Sequence, residues 1–375
     1  MSIRFGTDGW RAKVEEDFTV ENVKLCTQAV CNYLKSREIA DNGLMVGYDT
    51  RLNSATFAEA VSEVAAGNSI PVILCDRPAP TPVVSYNLVR RDCAAGIVIT
   101  ASHNPSDWNG FKFKPGYGGS ASEEILSDLE TCLNNVLEQQ QYLSIPISDA
   151  EKIGLVERVN PELLYLNHVA GLVDLQSIRN AGLNVVVDSM HGAGSGYIHQ
   201  LLEGGTSHVT EIRNEMDPTF PGMKQPEPID HNLEPLKEKI WHTNGDVGLA
   251  TDGDADRLGL VDEDGNFWFS GRTDDVITSS GYRIGPAEIE NQLLKHPSVA
   301  LAAVVGYPDE MRGHVVKAFI CLNPDYAASE PLKEEISGFV KSRLAAHEYP
   351  RLIEFLEEFP MTTTGKVMRR LLRDR

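Results

Sequence analysis

The chain has 375 residues, 42% of them hydrophobic, which suits two to three domains with cores of their own. Its net charge of −20 excludes nucleic acid and anionic membrane as general partners. No apolar run approaches the ~20 residues of a membrane span. The start, Met1 to Gly6, lacks the apolar stretch of a signal peptide, and the six cysteines contain no Cys-x-x-Cys pair, so a reducing cytoplasm is the expected location.

The amino-terminal part alternates strand-like and helix-like stretches. Leu44–Tyr48 is expected as a strand, Ser54–Ala66 as a helix capped by Ser54, Ile70–Leu74 as a strand, Thr81–Val89 as a helix and Ala95–Thr100 as a further strand. Such alternation builds a doubly wound α/β domain. The last strand is apolar or β-branched almost throughout, as a buried parallel strand should be. It breaks abruptly into Ser102-His103-Asn104-Pro105. Ligands of open α/β sheets gather beyond the carboxyl ends of strands, which puts Ser102 and His103 where they can meet one. Taken alone, the same residues also make an ordinary turn. A polar helix from Glu123 to about Gln140 completes this unit before a linker near Pro146.

A second α/β unit is expected from about Glu151. It contains a helix over 161–173, a strand over Leu183–Val187, a glycine-bearing turn over Asp188–Gly194, a rigid Pro-rich loop over Asp217–Asp230, and a helix from Leu233 to Trp241. For the glycine turn, close packing is favoured over a phosphate cradle. The strand Val247–Ala250 then feeds Thr251-Asp252-Gly253-Asp254-Ala255-Asp256-Arg257. Alternate residues of an extended segment share a face, so Asp252, Asp254 and Asp256 are expected to converge on one hard cation, Mg²⁺. A solvated acidic turn is the plain alternative. An EF-hand loop fails, because Arg257 stands where that loop needs glycine and the flanks read as strands.

Three motifs carry a family resemblance. Thr100–Pro105 followed by Asn109-Gly110-Phe111-Lys112 resembles the phosphoserine loop of the α-D-phosphohexomutases, the phosphoglucomutases and phosphomannomutases. Phe5-Gly6-Thr7-Asp8-Gly9-Trp10-Arg11 resembles their amino-terminal signature, and Thr251–Arg257 their magnesium loop. Val46–Arg51 and Pro80-Thr81-Pro82 fall where that family has similar turns. The resemblance covers about residues 1–265 and implies two domains, 1–150 with the phosphoserine loop and 151–266 with the metal loop. It implies a phosphoserine at Ser102 and Mg²⁺ on Asp252, Asp254, Asp256 and Ser102. Arg11, Arg257 and Lys112 would supply positive charge, and Lys112 or His103 would move a proton. A hexose phosphate or hexose bisphosphate would be the substrate.

Asp264-Gly265 is a hairpin-turn signal and marks a seam. Residues 269–375 hold 14 basic against 15 acidic side chains, which leaves 20 against 39 in residues 1–268, so −19 of the charge lies before the seam. Beyond it, Phe269–Ile277, Ser280-Gly281-Tyr282-Arg283-Ile284-Gly285-Pro286, Gly306-Tyr307-Pro308-Asp309 and Thr364-Gly365-Lys366 are similar to the carboxyl-terminal domain of adenylate-forming enzymes, especially medium-chain acyl-CoA synthetases. Residues 267–375 are therefore expected as a small α+β domain, with a helix start at Pro286, strands over Val299–Val305 and Val315–Cys321, a helix from Leu332 to about 346, and a basic terminal helix. The resemblance implies that Lys366 reaches into a large domain, that Asp274 is a hinge, and that Arg272, Gly281 and Arg283 face nucleotide or CoA, making ATP or AMP and CoA its ligands. Neither the later sugar- and phosphate-recognition loops of the mutases nor the large domain of the adenylating enzymes has a counterpart. The expected protein is a chimera whose mutase-type phosphoryl transfer is disabled. The alternatives are a noncatalytic phosphosugar- or nucleotide-binding protein and a ligase fragment active only with a large domain in trans.

Overall fold

The computed structural model describes residues 3–5, 9–268, 276–279, 282–309, 312–345, 347–361 and 367–373. The chain divides into two compact units, Met1–Phe267 and Trp268–Arg375.

In the first unit, β1 (Trp10–Lys13), β2 (Leu44–Tyr48), β3 (Val72–Cys75), β4 (Ala95–Ile99), β5 (Trp108–Pro115) and β6 (Val156–Val159) make one sheet in the order β1-β5-β4-β2-β3-β6. The strands β4, β2, β3 and β6 are parallel, while β5 and β1 complete one edge antiparallel. Every residue of β2 and β4 is buried, as strands covered on both faces must be. Helices Val20–Ser36, Ser54–Gly67, Thr81–Arg90 and Glu123–Gln139 supply much of the apolar cover. The sheet runs past position 150, because β6 pairs in parallel with β3. The expected Ser54 cap is corrected: Asn53 stands at the N-cap in the left-handed region, and the Ser54 hydroxyl donates to Asp49 instead.

A second sheet follows, made of β7 (Asn184–Asp188), β8 (His208–Ile212), β9 (Val247–Thr251), β10 (Leu258–Asp262) and β11 (Phe267–Trp268), in the order β11-β10-β9-β7-β8. Leu236 and Ile240 of helix Glu234–Thr243 join Val186, Ala250 and Val261 in its core. The helix comes so near that a Cβ on Gly248 of β9 would sit 2.6 Å from Ile240 Cδ1. The expected turn forms at Asp264-Gly265, with Gly265 at φ +82.

The second unit is α+β, as expected. Its strands β12 (Ile277–Ser279), β13 (Tyr282–Ile284), β14 (Val299–Asp309) and β15 (Gly313–Leu322) pair antiparallel in the order β13-β12-β15-β14, and β16 (Leu352–Phe355) runs parallel to β15. Helices Pro286–Leu293 and Glu330–Lys341 bury Ile289, Leu293, Ile336 and Val340 in its core. Ser329 caps the second of these, and a short basic helix, Arg369–Arg373, follows. Among the described residues no helix is long and apolar enough to cross a membrane.

Candidate active site

Two sheets deliver two loops to one place. β4 ends at Ile99, and the chain turns so that Ser102 lies almost wholly buried at φ +53. The Ser102 hydroxyl donates to Asp252 Oδ2 at 3.0 Å, although the two residues lie 150 apart in sequence. His103 Nδ1 lies 3.4 Å from the same hydroxyl. Burial, then the Arg257 and Arg11 charges, bring the His103 imidazole down to about 4, against the pull of Glu227, so it is neutral near pH 7.

Between β9 and β10 the chain makes a tight turn, and one ligand atom from each of Asp252, Asp254 and Asp256 lies within 4.8 Å of the others. The convergence expected from an extended segment is thus reached differently. Residues 253–256 turn back on themselves, with Ala255 at φ +51. The backbone N–H groups of Asp256 and Arg257 both donate to Asp252 Oδ1, at 3.1 Å each. Gly253 is required by contact: a Cβ there would sit 2.7 Å from the carbonyl oxygen of Ser102. The glycine turn after β7 also packs, as favoured, since a Cβ on Gly192 would sit 2.6 Å from the Gly253 carbonyl oxygen, to which the Ala193 N–H donates at 3.0 Å.

Lys112, buried on β5, places its ammonium 2.9 Å from Asp254 Oδ2 and 3.1 Å from Asp256 Oδ2. The Thr81 hydroxyl donates to the same Asp254 oxygen at 2.6 Å, and the Thr81 N–H to the Asp254 carbonyl at 2.9 Å. Burial alone would raise the Asp254 carboxyl, but the Lys112 charge and the Thr81 and Lys112 hydrogen bonds hold it well below the usual carboxylate range. Burial, followed by the Asp254 and Asp256 charges, pushes Asp252 the other way, well above that range. Asp254 Oδ1 is buried without a hydrogen-bond partner. A buried carboxylate oxygen left bare in a three-carboxylate cluster fits a hard divalent cation, whose ligands are oxygens.

Arg11 and Arg257 border this cluster. Arg11 donates to Asn104 Oδ1 at 2.8 Å, and Arg257 pairs with Glu227 while its Nε lies 4.0 Å from both Asp252 and Asp256. The amino-terminal residues named from sequence, Arg11, Ser102, His103, Lys112, Arg257 and the three aspartates, therefore border one site. Sequence reasoning gave no role to Asp49, Arg51, Thr81 or Phe220, all of which brace it. For Asp49 and Arg51 the available signal was a charged Asp-Thr-Arg run directly after the strand β2. In the second unit, Arg272, Asp274, Gly281 and Lys366 lie outside the described residues, and Arg283 is opposite Thr278 in the β12–β13 pair.

The fold and the joined loops define a phosphohexomutase-type first unit. Residues 2–140 match the model of phosphoglucomutase/phosphomannomutase alpha/beta/alpha domain I, residues 164–265 match domain II, and residues 288–366 match the AMP-binding enzyme C-terminal domain. A Thermus thermophilus protein assigned as a phosphomannomutase aligns with a TM-score of 0.64 at 32% identity, over 71% of this chain and 58% of that one. The mitochondrial acyl-coenzyme A synthetase ACSM3 of Mus musculus is 58% identical over 117 residues, 31% of this chain and 20% of the synthetase. The acetyl-coenzyme A synthetase of Bacillus subtilis is 48% identical over 133 residues, 36% of this chain and 21% of the synthetase. The chain is a chimera that joins the first two domains of the phosphoglucomutase/phosphomannomutase family to the carboxyl-terminal domain of the AMP-binding enzymes. It spans about a fifth of the length of the curated synthetases it matches.

Proposed function

We propose that the first unit performs the phosphoserine half of hexose phosphate chemistry, and that full mutase turnover is disabled. The observation that carries this reading is the Ser102 hydroxyl held 3.0 Å from Asp252 at a carboxylate cluster with a bare, buried Asp254 oxygen. Asp252, Asp254, Asp256 and Ser102 would hold Mg²⁺. That ion, when bound, offsets negative charge on phosphoryl oxygens. The chain's own residues do the rest. A hexose hydroxyl oxygen bonds to phosphorus as the Ser102 Oγ–P bond breaks, and the hydroxyl proton ends on Ser102 Oγ. Neutral His103, 3.4 Å from that oxygen, holds the proton in passage. Arg11 and Arg257 face the phosphate with positive charge, while Lys112 keeps Asp254 and Asp256 together. Where a mutase continues into a third domain, this chain continues into the AMP-binding enzyme C-terminal domain, so the groups that would grip the distal phosphate are replaced. Positioning worth ~7–11 kcal/mol of barrier is then forfeited.

Calorimetry with Mg²⁺ on the wild type and on an Asp254→Ala, Asp256→Ala double variant tests the cation site, and equal binding by both would refute it. A coupled assay tests the disabled state. Brisk interconversion of glucose 1- and 6-phosphate would refute that. For the second unit, we infer that Lys366 lies idle until a large domain is supplied. Pyrophosphate exchange into ATP should be absent for the chain alone, and exchange without a large domain would contradict the assignment.

A further inference from the structure

We infer that Arg51 is a positioning residue for Ser102, locked in place by Phe220 of the Pro-rich segment; this rests on Ser102 being the phosphoryl acceptor. Ser102 has a left-handed backbone, φ +53, which a non-glycine residue keeps only when its surroundings enforce it. Arg51 supplies that constraint. Its Nη2 donates to the carbonyls of Ser102 and Asn104 at 2.7 and 2.6 Å, and its Nη1 to those of Pro105 and Trp108 at 2.7 and 3.1 Å. Behind it, Asp49 Oδ2 lies 3.2 Å from Nε, and both side chains are 0% exposed.

The same carboxylate fixes the other side of Ser102. Asp49 Oδ2 accepts the Thr100 hydroxyl at 2.6 Å, and Thr100 Oγ1 accepts the Ser102 N–H at 2.8 Å. One buried ion pair therefore holds both the N–H and the C=O of the acceptor residue, without touching its hydroxyl. The Phe220 ring lies 5.0 Å from the Arg51 guanidinium carbon. A few residues on, the Pro226 carbonyl accepts the Gly253 N–H at 3.2 Å, and Glu227 pairs with Arg257. A single segment thus braces the serine clamp and the carboxylate turn together, so the two halves of the site keep a fixed register. A lysine would keep the charge at position 51 but not the planar fork that reaches four carbonyls.

The test incubates the full chain with glucose 1,6-bisphosphate and Mg²⁺ and follows phosphate at Ser102 by mass. Arg51→Lys should slow uptake roughly a hundredfold, the scale of an ångström-sized misplacement, with the half-saturating bisphosphate concentration unchanged. Phe220→Leu should slow it about tenfold, the order of a desolvated cation–π contact. Uptake by Arg51→Lys at the wild-type rate would overturn the inference, and so would loss of the cooperative unfolding transition in that variant, because Arg51 would then hold the fold and not the acceptor. A second arm replaces the hydroxyl by a thiol, Ser102→Cys, with and without Arg51→Lys, and measures maleimide labelling of that peptide. Labelling should be faster without the clamp, since Ser102 is 1% exposed with it. Equal labelling overturns the clamp even if the wild type takes up no phosphate, an outcome that separately refutes Ser102 as the phosphoryl acceptor.

Discussion

The two sheets of the first unit feed the same site from different surroundings. β2 and β4 of the first sheet are buried at every residue, whereas β10 of the second alternates and leaves Leu258 58% and Leu260 38% exposed. The serine loop grows from a fully enclosed strand, the carboxylate turn from a half-covered sheet. The carboxylates nonetheless stay aligned, because Thr81, Lys112 and the Ala193 N–H, reaching in from other elements, hold the turn at its tip. A loop's geometry can thus be fixed by what grips it and not by how well its parent strand is packed.

Substitutions in the two sheets and at the turn should have unequal effects. The largest effect is expected for Lys112→Met, which leaves buried carboxylates without their cation and should cost about 3–5 kcal/mol in chemical denaturation, with Mg²⁺ restoring part of it. A cost below about 1 kcal/mol would show that the turn is held without Lys112. Next comes Ile97→Ala in β4, fully buried, with an expected cost of about 2–5 kcal/mol. Leu258→Ser in β10 should change stability by no more than about 0.5 kcal/mol. If these two variants lose comparable stability, the contrast between the sheets is wrong.

A separate effect concerns pH. The folded-state His103 imidazole is brought down to about 4 from its ordinary value of 6.5, so the unfolded chain binds more protons in that window. The His103 contribution to stability should therefore rise as pH increases from about 4 to 6.5, opposed by that of Asp252, whose carboxyl burial pushes up. His103→Gln should flatten that part of the profile, and an unchanged slope would place the titration elsewhere.

Much of this was legible in the sequence. The strands around Met45, Ile97 and Leu249 announce themselves by apolar runs, and the Ser102 and Asp252 loops by polar breaks at their ends. What was not legible has no local signature. The hold of Thr81 on Asp254 spans 173 residues and the reach of Arg51 to Ser102 spans 51, so neither appears in periodicity or turn chemistry. Ser54 reads as a cap because serine caps helices, yet its hydroxyl serves Asp49, a competition only the folded chain decides. The aspartates read as an extended face because they alternate, while Ala255 takes a left-handed turn that brings them together by another route.

The proposed phosphoryl acceptor is Ser102 at the carboxylate cluster. Intact-mass measurement and peptide mapping after incubation with glucose 1,6-bisphosphate and Mg²⁺ test it most directly. A single added phosphate is expected on Ser102, removed by phosphatase and absent from an Asp252→Asn variant. No phosphate on the wild type, or one that maps to another residue, would contradict it.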